Sequence, residues 1–498
     1  MSEGRIRGLW APPTRGLTVG LVLSITFVAS EALAVVTVMP LVARDLGGLR
    51  LYGWVFSAFM LGSVVGIVAA GREADRRGPA IPFVAGLVLF GSGLAVAGLA
   101  PSMGVLVAGR VLQGLGAGAV PSVAYAAIGR SFPGPLQARM MAVLSTAWVV
   151  PGLAGPVLAA EVAHVFGWRW VFLGLLPVVA VAGAIAVPAL ARLGPPGAGP
   201  VQEHQLIHGI VVAAGATMIL AGLTLAAGSG ATAAGAAAAG AALIIAGVAA
   251  GLPALRRLVP AGTLTARPGL PATILSRGLL TFAFFGADAY VTLAITAVRH
   301  RSPLVAGIAV TGATVGWTAG AWVQARLSET WQGRRFVRTG LVIVLAGIAG
   351  MVLVLRPDVP VAVGLASWTV AGLGKGLAYA PLSLMMLRHA PPGREGRASA
   401  SLNLADVLGT ALGIGVGGAA VAAGAGRNLP LGITAAFAVS AAVGVVALMV
   451  TRRLPAGTTS SPPPVPQREP TQVPGEKPAQ PAPVAGGRRG RPSRGHLG

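Results

Sequence analysis

The chain of 498 residues has no cysteine, only two lysines and few charged residues of any kind. The absence of cysteine excludes disulfide frameworks, thiol catalysis and cysteine-ligated metals. Charged residues make up 10% of the chain, whereas a soluble globular protein carries about 25%. Because too few charges are present to cover a water-facing surface, the composition excludes a soluble enzyme.

Arginine supplies nearly all of the positive charge, and the formal net charge is +23. The arginines lie in short runs between apolar stretches, which is not the footprint of a nucleic-acid-binding protein. No Gly-x-x-x-x-Gly-Lys phosphate loop occurs, so we do not expect ATP to drive a reaction. His204 and His208 have the spacing of a metal-binding helix face but too few neighbouring ligands. We therefore expect no nucleic acid, no cofactor, no metal and no enzymatic activity.

What the chain has instead is a series of long apolar stretches, with 54% apolar residues and a mean hydropathy of +0.77. Each stretch is about twenty residues long, the length of a helix that crosses a hydrocarbon core. Such runs must be helical, since an unpaired backbone group in lipid costs several kcal/mol. We predict fourteen transmembrane helices, at 17–39, 52–71, 80–100, 104–128, 141–163, 170–191, 206–227, 233–254, 274–297, 304–325, 337–355, 360–386, 399–424 and 430–451.

The arginines between these stretches predict the orientation of the chain. With a cytoplasmic N-terminus, the loops on the cytoplasmic side hold Arg72, Arg76, Arg77, Arg130, Arg139, Arg192, Arg256, Arg257, Arg267, Arg326, Arg334, Arg335, Arg338, Arg388, Arg394 and Arg397. The opposite loops hold fewer, namely Arg44, Arg50, Arg169, Arg299, Arg301, Arg356 and Arg427. Basic residues are enriched in cytoplasmic loops, so we expect a plasma-membrane protein with both termini in the cytoplasm.

Four short motifs follow one another along the first part of the chain. Residues 71–78 read Gly-Arg-Glu-Ala-Asp-Arg-Arg-Gly, and residues 110–118 read Arg-Val-Leu-Gln-Gly-Leu-Gly-Ala-Gly. A Gly-Pro pair stands at 155–156, and residues 167–172 read Gly-Trp-Arg-Trp-Val-Phe. In this order the motifs resemble those of the major facilitator superfamily. The number of apolar stretches is similar to that of its fourteen-span drug:proton antiporter branch, a group of multidrug efflux transporters.

The resemblance covers residues 17–451 and implies an all-α membrane protein with the major facilitator fold. Two six-helix halves, 17–191 and 274–451, would be separated by two extra helices at 206–254. The remaining segments would be a cytoplasmic N-terminus at 1–16, cytoplasmic connections at 192–205 and 255–273, and a disordered cytoplasmic tail at 455–498. The resemblance also implies a gating role for Gly71, Asp75, Arg76 and Gly78, and an antiporter-like helix bend at Gly155 and Pro156.

Five charged residues interrupt the apolar stretches, and we expect them to couple proton movement to transport: Glu31, Arg110, Asp288, Lys375 and Asp406. A charge at the centre of a membrane helix costs about 2.5–3.5 kcal/mol, so a partner or a wet cavity must offset it. A carboxyl group is cheap to bury when it is protonated and attracts a cation when it is ionised. Glu31 is therefore the first candidate for a proton or cation site, although hydroxyls such as Ser24 or Ser30 could instead make it a structural acid.

The other four charges have alternatives as well. Because the halves of such transporters meet around a midplane cavity, we expect Asp288 to face Glu31; the alternative is a structural ion pair with Lys375 or Arg110. Lys375 and Asp406 are candidates for an ion pair across neighbouring helices. Arg110 cannot lose its proton and would bias a nearby carboxyl group towards release, or else only join two helices.

Side chains near these charges are candidates for lining a substrate cavity: Gln113, Trp148, Phe284, Phe285 and Tyr290. Gln113 lies one turn from Arg110 and can bond the substrate or Glu31. The aromatic rings can hold flat amphiphilic cations by cation–π contact, or they can be packing or lipid-facing residues.

The sequence thus predicts a monomeric secondary-active exporter of amphiphilic or cationic small molecules, which works by proton antiport with alternating access. A proton symporter or a facilitator for a small metabolite shares the same fold and is the first alternative. A membrane sensor or scaffold that transports nothing is the second.

Overall fold

The computed structural model describes residues 8–455, except 133–135, 137–138, 141–142, 145–146, 148, 195–202, 228–232, 329, 392–394 and 426–427. The predicted tail from residue 456 onward and the candidate cavity residue Trp148 lie outside the described residues.

The described part of the chain is helical and contains no strand. Its α-helices run in the order α1 Pro12–Leu46, α2 Tyr52–Arg77, α3 Ala80–Gly98, α4 Met103–Ser131, α5 Val149–Val165, α6 Arg169–Leu173, α7 Leu176–Ala191, α8 Glu203–Ala226, α9 Ala233–Leu258, α10 Leu270–Leu293, α11 Pro303–Leu327, α12 Gly333–Val354, α13 Val361–His389, α14 Glu395–Gly424 and α15 Leu429–Val450. We call α1–α7 the N-terminal bundle, α8 and α9 the hairpin, and α10–α15 the C-terminal bundle.

Thirteen helical segments among the described residues are long and apolar enough to cross a membrane, counting α6 with α7 as one. They confirm thirteen of the predicted spans. The fifth span stays a prediction, because only a shorter apolar helix, Ala154–Val165, is described in its range. The first span is longer than predicted: α1 continues through Pro40 to Leu46, since a helix buried among others tolerates the lost backbone bond.

Glycines bring helices together inside each bundle. A Cβ atom at Gly114 would overlap the backbone of Phe59, and one at Gly118 would overlap that of Ser63, so α4 lies directly against α2. In the C-terminal bundle, Gly409 of α14 meets the backbone of α10 in the same way. This is the close approach that small residues four apart permit in membrane helices.

The hairpin packs against both bundles along one side of the molecule. Leu220 of α8 shares an apolar cluster with Leu61 of α2 and Ala411 of α14. The Trp54 indole of α2 also donates a hydrogen bond to the hydroxyl of Thr224 in α8, at 3.0 Å. The hairpin therefore covers the line where α2 meets α14.

The two bundles meet tightly at the end of the molecule where α1 ends and α2 begins. Thr292 of α10 donates to the carbonyl of Val36 at 2.9 Å, and its hydroxyl lies 3.4 Å from that of Tyr52. Ser57 of α2 donates to the carbonyl of Ala411 in α14 at 2.9 Å. These contacts close the interface between the two bundles at this end. We call this interface the seam.

The absence of native cysteine makes the orientation testable with single cysteines at the two ends of α11. Arg301 and Ser328 are both exposed. We expect a membrane-impermeant maleimide to label Arg301→Cys in intact cells and Ser328→Cys only after permeabilisation, because the arginine-rich side is cytoplasmic. Labelling of Ser328→Cys in intact cells would reverse the predicted orientation.

Candidate functional site

Glu31 and Arg110 form an ion pair in the interior of the N-terminal bundle. Glu31 lies near the middle of α1, and Arg110 lies in the first half of α4. An Arg110 Nη1 nitrogen donates to Oε1 of Glu31, and the two side chains are only 2% and 1% exposed. Opposite charges so deeply buried stabilise each other, whereas either one alone would be strongly destabilising.

Further contacts fix Arg110 in place. Its Nε donates to the carbonyl oxygen of Val55 in α2 at 2.9 Å, and its guanidinium lies 4.2 Å from the centre of the Phe59 ring. The same Nη1 also donates to Oε1 of Gln113. Residues of α1, α2 and α4 thus converge on one guanidinium, which is possible because α2 and α4 lie so close together.

The pair leaves two buried polar atoms without a hydrogen-bond partner, Oε2 of Glu31 and Nε2 of Gln113. Ser24 and Ser30 do not supply the missing donor, because their hydroxyls donate to the carbonyls of Gly20 and Thr26 in their own helix. The alternative in which these hydroxyls satisfy Glu31 is therefore wrong. An acceptor and a donor remain available beside the ion pair.

Asp288 lies in the C-terminal bundle and has a different partner from any that the sequence indicated. Its Oδ1 accepts a hydrogen bond of 2.8 Å from the Trp368 indole, and the residue is 8% exposed. Among the described residues, Asp288 has no cation within ion-pair distance, so the alternative of a structural pair with Lys375 or Arg110 is not formed. No described hydrogen bond joins it to Glu31 either.

Asp406 pairs with Arg277, which corrects the expected Lys375–Asp406 pair. The Arg277 Nε lies 3.3 Å from Oδ1 of Asp406, and the hydroxyl of Tyr379 donates to Oδ2 at 3.1 Å. Arg277 was missed by sequence reasoning. The signal was available, since this arginine lies inside the predicted span 274–297.

Two further hydrogen bonds anchor the Arg277 guanidinium to α13. It donates to the Tyr379 carbonyl and to the Ser383 hydroxyl, each at 2.7 Å, and it lies 3.4 Å from the centre of the Tyr379 ring. Arg277 is therefore an element of the C-terminal bundle that joins α10 to α13 and α14.

Lys375 is surrounded by aromatic rings. The residue is fully buried. Its Nζ lies 3.2 Å from the ring centre of Phe285, 3.9 Å from Trp317 and 4.4 Å from Phe284. The Tyr379 ring centre is 5.7 Å away. We call these four rings the aromatic cage. Two of its members, Phe284 and Phe285, were predicted as cavity residues, and the other two were not.

Tyr290, the third described aromatic candidate, is in a different environment. It is fully buried, its hydroxyl donates to the carbonyl of Ile414, and its ring lies 5.8 Å from that of Tyr52 in the other bundle. In this conformation Tyr290 is a packing residue at the closed end of the seam.

The loop motif at residues 71–78 forms the end of α2. Gly78 follows the last helical residue with a φ of 88°, a left-handed conformation that favours glycine. Gly71 lies inside α2, one and a half turns or more before the end of the helix, and makes no turn. Arg76 is exposed, and the side chain of Asp75 lies outside the described structure.

The Gly-Pro pair lies where α5 crosses α11. Pro156 is inside the helix, and a Cβ atom at Gly307 of α11 would lie 3.1 Å from the Pro156 carbonyl oxygen. The two helices therefore approach closely at Pro156. Because α5 belongs to the N-terminal bundle and α11 to the C-terminal bundle, this is a second line along which the bundles meet, besides that of α2 and α14.

The sequence matches a known protein family and named relatives. A family model described as the Major Facilitator Superfamily matches residues 19–296 and 273–492. The chain is 29% identical over 450 residues to the protein named "Probable multidrug-efflux transporter Rv1634" of Mycobacterium tuberculosis, and the match covers 87% of this chain and 93% of that protein. It is 28% identical over 386 residues to the drug efflux pump JefA of the same species, covering 76% and 74%.

Solved structures share the fold at low sequence identity. A POT family transporter in complex with 5-aminolevulinic acid matches with a TM-score of 0.63 and 15% identity, covering 88% of this chain and 94% of that chain. The xylose transporter XylE from Escherichia coli matches with a TM-score of 0.56 and 12% identity, covering 87% and 97%.

A double-mutant cycle tests the buried pair. We expect Glu31→Gln or Arg110→Gln alone to destabilise the protein by about 3–5 kcal/mol, since each leaves one buried charge without its partner. The double variant should be more stable than either single variant. Thermal unfolding of the purified protein measures this, and strictly additive losses would show that the two side chains do not interact.

Proposed function

Because the chain belongs to the major facilitator superfamily, a family of multi-pass membrane transporters rather than enzymes, we propose that it exports amphiphilic small molecules in exchange for protons. Its relatives that are named as drug efflux transporters support the direction and the substrate class. The protein would act as a monomer in the plasma membrane, with both termini in the cytoplasm.

The single observation that carries the proposal is the ion pair of Glu31 and Arg110. An ionisable group within the membrane is expensive and usually functional. Because Arg110 keeps its proton, the carboxyl group is the member of the pair that can change charge. Protonation of Glu31 would cancel the electrostatic attraction between its carboxylate and the Arg110 guanidinium. The Oε2 atom of Glu31 can accept the proton without losing a hydrogen bond, because it has no hydrogen-bond partner. Proton binding can thus alter how α1 is held against α4.

Asp288 supplies a second carboxylate for the cycle. It accepts one hydrogen bond from a neutral indole and is paired with no cation among the described residues. A substrate that carries a positive charge can therefore approach Asp288 without displacing a fixed arginine. In this scheme Glu31 holds the proton in one bundle while Asp288 interacts with the substrate in the other.

Alternating access requires that the bundles separate first at one end and then at the other. The contacts of Tyr52, Ser57 and Thr292 close the end that we place outside the cell. Nearer the opposite end, the Asp406 side chain retains 21% exposure. These observations support a state that is closed to the outside, from which a substrate enters from the cytoplasm.

Proton coupling is tested by efflux from energised everted vesicles. At equal abundance of folded protein in the membrane, we expect Glu31→Gln to reduce proton-driven transport by at least tenfold, because the amide cannot carry the proton. The matched control is Glu161→Gln, an exposed acid of α5, which should transport as the wild type does. A pH-sensitive dye reports proton release during substrate movement.

Each contrary outcome points to a different function. Transport that survives collapse of the proton gradient would refute antiport. Proton movement in the same direction as the substrate would indicate a symporter. Unchanged function in both Glu31→Gln and Asp288→Asn, with no transport of any compound, would indicate a sensor or scaffold.

The closed end of the seam offers a separate test of alternating access. A Cβ atom at Gly418 would lie 2.8 Å from Cα of Gly53 in the other bundle, whereas a Cβ at Gly104 meets no atom within 4 Å. We expect Gly418→Leu to lower the transport rate at least tenfold, because the closed state cannot form. Gly104→Leu should retain the wild-type rate at equal abundance in the membrane, and equal rates for both variants would contradict the gating model.

A further inference from the structure

The aromatic cage holds its lysine by rings alone. The Lys375 Nζ is fully buried and has no hydrogen-bond partner, and no carboxylate among the described residues lies within ion-pair distance of it. All four ring centres lie within 6 Å of the nitrogen, the range in which a cation is attracted to a ring face. The attraction of the cage is therefore directed at positive charge and not at a hydrogen-bond donor.

This arrangement is unfavourable for a primary ammonium group. Lysine carries three N–H donors, and leaving donors unbonded in a buried site costs free energy. A quaternary ammonium has the same charge but no N–H donor, so it loses no hydrogen bond on entering such a cage. Aromatic cages of this kind suit quaternary ammonium ligands for that reason.

The four rings of the cage differ in how deeply they are buried. Phe284 is buried and stacks on Trp368 with ring centres 5.2 Å apart. Phe285, Trp317 and Tyr379 are only partly buried. The cage thus consists of one buried ring and three partly buried rings.

We propose that the cage is a subsite for the quaternary ammonium head of a substrate, and that Lys375 occupies it as a tethered substitute when no substrate is bound. The proposal rests on the proposed transport function for its substrate, but not on proton coupling. On substrate entry the lysine side chain leaves the rings and the ammonium head of the substrate takes its place. Since a bound head must displace the lysine, the tethered cation lowers the apparent affinity of the cage.

Equilibrium binding to the purified full-length protein tests this without any gradient. The probe is benzyltrimethylammonium, compared with benzylammonium, and the quenching of tryptophan fluorescence reports binding. We expect Lys375→Ala to bind benzyltrimethylammonium at least tenfold more tightly than the wild type, because the competing cation is gone. The gain for benzylammonium should be smaller, because it carries N–H donors that the cage leaves unbonded.

Two control variants separate the cage from a general loss of positive charge. Lys375→Arg keeps a cation in the rings and should stay within threefold of the wild-type affinity. Lys375→Ala combined with Phe285→Leu removes one cage wall and should lose the gain. The proposal is overturned if Lys375→Ala binds the quaternary probe no more tightly than the wild type, or if the gain survives loss of Phe285.

Thermal unfolding and vesicle transport together distinguish a failure of the subsite from a failure of the proposed antiport. Benzyltrimethylammonium should raise the thermal unfolding temperature of Lys375→Ala by several degrees and that of the wild type by less, and an equal rise in both would count against the cage. Vesicles that show no proton exchange would refute the proposed antiport while leaving a confirmed binding gain intact. Conversely, proton-driven export with no gain in Lys375→Ala would retain the transporter and reject the subsite.

Discussion

The cost of placing a charge among apolar helices is the constraint on which the interior of this protein depends. Two solutions occur side by side. Glu31 with Arg110, and Asp406 with Arg277, neutralise one another as ion pairs. Lys375 is instead stabilised by ring faces. Charges held in these two ways respond differently to a ligand, because an ion pair loses its attraction when one member is protonated, whereas ring faces accept any cation of suitable size.

The two bundles differ in how they hold their buried charges. In the N-terminal bundle, contacts from three helices fix the Arg110 guanidinium, so Glu31 is the member of this pair that can change charge. The C-terminal bundle contains an aspartate bonded to an indole and a lysine among rings. The N-terminal bundle thus buries a carboxylate against a fixed guanidinium, whereas the C-terminal bundle buries a lysine against aromatic rings.

The sequence predicted the helices and five of the charges inside them, but it missed Arg277 and did not give all of the pairings. The apolar length of a span depends on one helix at a time, so the spans were predictable. The partner of Asp406 depends on how three helices are rotated about their axes, and no spacing rule specifies this. The pairing of Arg277 with Asp406 and that of Trp368 with Asp288 therefore emerged only from the structure.

The hairpin lies between the surrounding lipid and one of the two lines along which the bundles meet. Because Leu220 packs against Leu61 and Ala411, the hairpin shields the line where α2 meets α14. The opposite line, where α5 crosses α11 at Pro156, has no such cover from the hairpin. On the flank that the hairpin covers, lipid therefore contacts the hairpin rather than the line where α2 meets α14.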